Sequence, residues 1–367
     1  MKKTLMIMLF SLLIYSLATP CYAEIKIGGI FSLSGSIAFM GGRLKDGAQL
    51  AIEKINAAGG IKGEKLVLVI EDSKSEYKDA VNAVSKLASV DKVKFFIGPE
   101  ASSAALAMTP VIEKERAILI CPVSTHPDVP NAQKGVFRVV PSDSVQGVVG
   151  ANLARKLGLK KVGVLYLNSD YGKTLAEIFS AEAKKYGIEI PVTEKFNQGD
   201  TDFRSQVTKV KAAKIDGIYM TASSVEAANI AKQAHQLKLN VPMVTTDGAL
   251  DPKTIELGGK DVEGLYATGS AFDPKSKEPS IKAFVEEYKT KYKEEPGIFA
   301  ALAYDAMSVL AEAMKLKGIE PDQVREGLVS IKAFPGVTGR ITFKPNGDVD
   351  KEIGIFKVIS GEFIIQK

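Results

Sequence analysis

Residues 24–31 read EIKIGGIF and residues 43–60 read RLKDGAQLAIEKINAAGG, and the way the first leads into the second decides the fold. The first is a short, largely apolar run of strand length. The second carries apolar side chains at helical spacing until Gly59-Gly60 stop it. The couple then recurs in the strand KLVLVI (65–70), a helix around DAVNAVSKLA (79–88), the strand KFFIG (94–98), the helix AALAMTPVIEK (104–114) and the strand AILI (117–120). Four strands alternating with three helices predict parallel βαβ units.

The rhythm restarts after Pro141. Residues 143–157 are predicted helical, KVGVLYL (161–167) a strand and LAEIFSAEAKKYG (175–187) a helix ended by Gly187. IEIPV, a helix near FRSQVTKVKAA, the strand DGIYM, the helix VEAANIAKQAHQL and the strand VPMVTT follow, a second α/β unit of similar build. The last hundred residues break the alternation with helices at 278–293, 299–318 and near 321–330. They end in GRITFKPNGDV, GIFKVI and EFIIQK, hairpin strands turned at Asn346-Gly347 and Ser360-Gly361. Such a tail completes the two earlier units rather than forming its own.

The N-terminus stands apart. Residues 1–23, MKKTLMIMLFSLLIYSLATPCYA, place Lys2 and Lys3 before an apolar run at 5–18, with Cys21 and Ala23 at −3 and −1 of a cleavage point. That is the layout of a secretory signal peptide, and the run is short of the ~20 residues a membrane span needs. The chain has 367 residues, 46% hydrophobic and 25% charged, which favours about two globular domains. Its net charge of +5 is interspersed, with no basic stripe or basic-aromatic motif, so nucleic acid is excluded as a partner. Once residues 1–23 are removed Cys121 stands alone, and with two histidines in the chain a His/Cys zinc site is excluded too. No cofactor is predicted.

In parallel sheets ligands sit beyond the carboxyl ends of strands, so the turns there carry the function. After KFFIG comes PEASSAALAMTP, where Ser102 is placed to cap a helix whose free N–H groups favour an anion. After AILI comes CPVSTHPDVP (121–130), whose Pro122 and Pro127 hold VSTH as a stiff loop offering N–H groups and the hydroxyls of Ser124 and Thr125. After KVGVLYL, Tyr171 stands at a helix entrance, and after VPMVTT comes Asp247, a carboxylate able to balance a ligand cation. Each signal also has a plain structural reading as a cap or a polar turn.

Together with IKIGGIFSLSGSIAFMG, AIEKINAAGGIKGEKL, FIGPEASS, CPVSTHP, FRVVPSDSVQG, the SDYG turn and ALAYDAM, these residues resemble the periplasmic solute-binding proteins of the leucine/isoleucine/valine type, which serve ATP-binding-cassette importers. The resemblance runs from Ile25 to the C-terminus. It implies a type I periplasmic binding protein fold: two Rossmann-like α/β lobes joined by three crossover strands, with the ligand cleft between them. The crossings fall near Pro141-Ser142, Ala271–Asp273 and Lys344, dividing the chain into a first lobe of 24–142 plus 273–344 and a second of 143–272 plus 345–367.

By position, the resemblance assigns Ser102, Ser124, Thr125 and Tyr171 to the carboxylate of an amino acid. It assigns the Val123 carbonyl, Thr125 and Asp247 to its ammonium group. Met40, Ser223 and Phe299 fall where the family contacts the side chain, and Asp143 near the cleft mouth. Ala101 and Asp72 occupy regions where the leucine-type proteins carry a disulfide. The implied protein is a periplasmic, monomeric, non-enzymatic carrier of a neutral aliphatic amino acid, partnered by importer membrane subunits.

Two other readings compete. The same fold serves as a ligand-sensing receptor or binds aromatic and other carboxylates; an aromatic carboxylate needs no ammonium partner, so Asp247 argues against it. A thiol hydrolase using Cys121 and His126 is the alternative of another class. Cys121 closes an apolar strand and no third group orients the pair, which favours a buried, inert thiol.

Overall fold

The computed structural model describes residues 24–366; the expected signal peptide, residues 1–23, lies outside them. Strands β1 (Glu24–Phe31), β2 (Lys65–Asp72), β3 (Phe95–Ile97), β4 (Ile118–Cys121) and β5 (Val136–Arg138) form a parallel sheet in the order β2-β1-β3-β4-β5. The period of two in a strand sends Phe95 and Ile97 to one face and Phe96 to the other. The first face packs against the helices Ala38–Ala57 and Ile298–Lys317, and the second against Tyr77–Ser89 and Ser102–Lys114. Both faces are covered, which is why these strands read as continuous apolar runs rather than alternating ones.

The second sheet is built the same way from β6 (Lys161–Leu167), β7 (Glu189–Phe196), β8 (Gly217–Thr221), β9 (Met243–Thr245) and β10 (Tyr266–Ser270), all parallel. Helices Arg204–Ala212 and Ser224–Gln236 cover one face, and Asp143–Lys156 and Asp170–Lys185 the other.

The C-terminal third adds strands to the second sheet and side chains to the first core. Short strands β11 (Phe334–Gly336), β12 (Gly339–Phe343) and β13 (Val349–Asp350) make a small antiparallel sheet whose Ile341, Phe343 and Val349 join the first core. Strands β14 (Ile353–Ile359) and β15 (Glu362–Gln366) add antiparallel edges to the second sheet, giving β15-β14-β10-β9-β8-β6-β7. Their hairpin turns at Ser360 and Gly361, with φ of 54° and 75°, the paired positive values of a type I′ turn.

The chain therefore passes between lobes after β5, after β10 and between β13 and β14. The third passage falls later than Lys344, because Val349 still belongs to the first core. Sequence periodicity missed β5 and β11, each of only three residues, too short to show alternation. Among the described residues no helix is long and apolar enough to cross a membrane.

Candidate functional site

Each sheet reverses its strand order once: between β1 and β3 in the first lobe, and between β6 and β8 in the second. The loops leaving those strands diverge to opposite faces and leave a crevice at each switch point. The two crevices face each other and share one cavity of about 180 Å³, several times the ~30 Å³ share of a liquid water.

From the first lobe the cavity is lined by Ile37, Met40, Ser75, Val123, Phe299 and the turn Glu100–Ser103. Ser102 is the first residue of its helix and not its cap, correcting the sequence expectation: the cap position is Ala101, and the Ser102 Oγ accepts instead from the His126 N–H at 3.2 Å. The helix start still lines the cavity through Ala101, Ser102 and Ser103, and the first N–H groups of a helix have no partner within it, as an anion requires. The turn is held by carboxylates. Glu100 accepts from the Ser32 N–H at 3.0 Å and the Ser32 hydroxyl at 2.9 Å. Asp72 accepts from the Leu33 N–H at 2.8 Å and the Ser34 hydroxyl at 2.7 Å. Where the resembled family uses a disulfide, this chain ties the loop after β1 with hydrogen bonds.

From the second lobe the lining is Leu167, Asn168, Ser169, Tyr171, Gln198, Ala222, Ser223, Asp247 and Gly248. Ser169 caps its helix by accepting from the Gly172 N–H at 3.1 Å, with Tyr171 the second residue of that helix, in its first turn. The Tyr171 hydroxyl donates to Asp247 Oδ1 at 2.9 Å and lies 2.6 Å from the Thr246 hydroxyl, which donates in turn. Gln146 Nε2 donates to the same Oδ1 at 3.0 Å and to the Thr268 carbonyl at 3.0 Å. Among the described residues no lysine, arginine or histidine forms an ion pair with Asp247. Burial pushes its carboxyl above the usual range, with the Tyr171 and Gln146 hydrogen bonds pulling the other way. A carboxylate so placed gains from a cation arriving in the cavity.

Met40, Ala101, Ser102, Val123, Tyr171, Ser223, Asp247 and Phe299 thus line one cavity, whereas Ser124, Thr125 and Asp143 do not. Ser124 spends its hydroxyl on the Pro99 carbonyl at 3.0 Å, behind the turn that carries Ser102. Thr125 is fully buried, its carbonyl accepting from Arg138 Nη1 at 2.7 Å and from the Asp143 N–H at 3.0 Å. Asp143, first residue of its helix, is wholly buried and does not line the cavity, so it does not stand at the exposed mouth that the resemblance implied. Burial and the neighbouring Asp247 raise its carboxyl well above normal. Sequence reasoning missed Glu100 in a turn and Gln146 in a helix, and Gln198 and Arg138 in segments to which it gave no element.

The thiol reading fails on position. Cys121 ends β4 with no exposed surface, and burial pushes its thiol up to about 12. The His126 ring turns away from it to Thr174 on the opposite lobe, Nε2 to Oγ1 at 3.1 Å. His126 Nδ1 accepts from the Asp128 N–H at 3.2 Å, so the neutral ring donates through Nε2.

The comparisons agree with this architecture. A family profile described as periplasmic binding protein matches residues 24–362. The "Leucine-, isoleucine-, valine-, threonine-, and alanine-binding protein" of Pseudomonas aeruginosa is 32% identical over 339 residues, spanning 91% of this chain and 89% of the relative. A crystal structure of the leucine binding protein LivK from Thermotoga maritima superposes with a TM-score of 0.87 at 33% identity, covering 94% of this chain and 98% of that one. The branched-chain amino acid transporter substrate binding protein LivJ from Streptococcus pneumoniae, solved in complex with isoleucine, gives 0.86 at 34% identity over 93% and 97%.

Proposed function

The chain belongs to the periplasmic binding protein family, and we propose that it captures a neutral aliphatic L-amino acid between its lobes and delivers it to the membrane subunits of an ATP-binding-cassette importer. The observation that carries this reading is Asp247. It is a buried carboxylate without an ion-pair partner among the described residues, aimed by Tyr171 and Gln146 into a cavity whose far side holds the start of the Ser102–Lys114 helix. A zwitterion matches both ends. Its ammonium group meets Asp247, and its carboxylate meets the N–H groups and hydroxyls of Ser102 and Ser103, so neither charge is desolvated without a partner.

Between those ends the lining is mainly apolar, with Ile37, Met40, Val123, Leu167 and Phe299 suited to an aliphatic side chain. Relatives named for leucine, isoleucine and valine binding support this choice. Because the ligand contacts both lobes, it favours the closed arrangement, a population shift set by its differential affinity. The function is transport rather than catalysis, in the periplasm after removal of residues 1–23.

Calorimetric titration with the common L-amino acids, 4-methylpentanoate and benzoate tests the proposal. Tight binding of leucine, isoleucine or valine with weak binding of the two plain carboxylates is the expected pattern. Preference for benzoate or for 4-methylpentanoate would overturn it.

A further inference from the structure

Arg138 is one of the largest fully buried side chains among the described residues, 1% exposed at the end of β5, and it is not one of the residues that line the cavity. Its guanidinium nonetheless spends its donors on the ligand loop. Nη1 donates to the carbonyls of Thr125 at 2.7 Å and His126 at 2.9 Å, while Nε donates to Asp348 Oδ1 at 2.6 Å. The Arg138 N–H also donates to the Gly347 carbonyl at 3.2 Å, so the turn before β13 lies along β5.

The two carbonyls it holds are not incidental. Thr125 and His126 follow Val123 in the loop that lines the cavity, and the His126 N–H donates to the Ser102 hydroxyl. The Thr125 carbonyl accepts a second bond from the N–H of Asp143, the first residue of the second lobe's leading helix. One carbonyl therefore joins the ligand loop, Arg138 and the start of the opposite lobe. Asp348, at the other end of the guanidinium, precedes the third passage between lobes.

We infer that Arg138 is the positioning residue of the amino-acid clamp, its planar fork fixing the Thr125 and His126 peptides against the Asp348 turn so that the ligand loop and two of the three interlobe passages move as one body. The inference rests on the cleft being the amino-acid site. A guanidinium suits the task because its donors are fixed in one plane; lysine would offer the same charge without the fork. Ligand closure then reaches Arg138 through the loop, although no ligand atom contacts it.

The test uses the intact protein with leucine as probe, comparing Arg138→Lys, Arg138→Met and Asp348→Asn. Arg138→Lys is expected to keep a cooperative urea transition while weakening leucine binding by about tenfold or more, and Asp348→Asn to weaken it by about threefold. Folded Arg138→Lys protein that binds leucine as tightly as the parent overturns the proposal. A measurement on the unaltered protein covers the case in which the buried substitutions prevent folding. The ¹⁵N–¹H signal of Arg138 Nε, identified by its displacement in Asp348→Asn, is expected to shift on saturation with leucine. A purely structural arginine outside the cavity would leave it unmoved, and an unmoved signal overturns the proposal. Unaltered protein that binds no amino acid ends the amino-acid reading and this proposal together, whereas leucine binding with an insensitive Arg138 ends only this one.

Discussion

The Tyr171 hydroxyl donates to Asp247 Oδ1 across 2.9 Å, so the carboxylate that faces the cavity is held by a residue that also lines it. A group aimed in this way discriminates ligands by charge. Asp247→Asn keeps the shape and removes the charge, and a hydrogen bond to a charged group contributes about 1.5–3 kcal/mol. Leucine binding is expected to weaken by about 10- to 100-fold, while 4-methylpentanoate, which lacks the ammonium group, gains or changes by less than about threefold. Calorimetry on both ligands checks the pair; equal losses sink the ammonium assignment.

Glu100 makes ligand-free stability depend on pH. Burial pushes its carboxyl up to about 7 from 4.5, against the pull of its bonds from Ser32. A carboxyl raised on folding holds its proton in the native state while the unfolded chain has released it. Its contribution to stability is therefore fully present below about pH 4.5 and falls as pH rises toward about 7. With about 1.36 kcal/mol per pKa unit, the whole effect is about 3 kcal/mol. Glu100→Gln retains an acceptor for the Ser32 N–H and removes the titration. The difference in urea midpoint between variant and parent is expected to move in the variant's favour from about pH 4 to about pH 7.5, which spans the window between the two values; a constant difference contradicts the assignment.

Gly47 sits where the helices Ala38–Ala57 and Ile298–Lys317 cross. A Cβ placed on it would come within 2.0 Å of the Ala300 carbonyl oxygen. Alanine at an open helical site gains about 1 kcal/mol over glycine, but here the obstacle is backbone and cannot rotate away. Gly47→Ala is expected to destabilise the protein by about 2 kcal/mol or more, read from urea unfolding. Stabilisation would mean that the helices separate freely.

The fold was legible because both sheets are covered on two faces, which turns each strand into an apolar run and each helix into a periodic one. Residues 24–60 already contained the first strand–helix couple, and the alternation carried through to β9. The cavity was legible through turns: Ser102, Val123, Tyr171 and Asp247 all follow strand ends. What escaped depended on contacts far apart in sequence. Nothing local distinguishes Gln146, a helical glutamine, from a solvent-facing one until β9 and β10 bring Asp247 and Thr268 to its amide. Arg138 ends a three-residue strand, and its partner Asp348 lies in a turn that reads as a hairpin on its own. Ser124 and Thr125 were assigned to the ligand by their hydroxyls and by the resemblance; in the folded loop neither lines the cavity, and Ser124 turns to the Pro99 carbonyl instead.

Arg43 and Asp251 meet across the two lobes. Arg43 lies on the Ala38–Ala57 helix of the first lobe, and its Nε is 3.5 Å from Asp251 Oδ2, a fully buried carboxylate at the start of the Pro252–Gly258 helix. Asp251 has a second task, since Oδ1 accepts from the Lys253 N–H at 2.9 Å as the helix cap. Asn is as good a cap as Asp, so Asp251→Asn removes the charge across the lobes and leaves the helix start intact. An attraction made only when the lobes are together acts on escape from the closed state more than on encounter. Leucine dissociation is therefore expected to quicken by about tenfold with association changed by less than about twofold. Stopped-flow fluorescence or surface plasmon resonance separates the two rates. An unchanged dissociation rate would show that the pair spans the cleft without holding it shut, and a matching fall in association would place its effect on encounter instead.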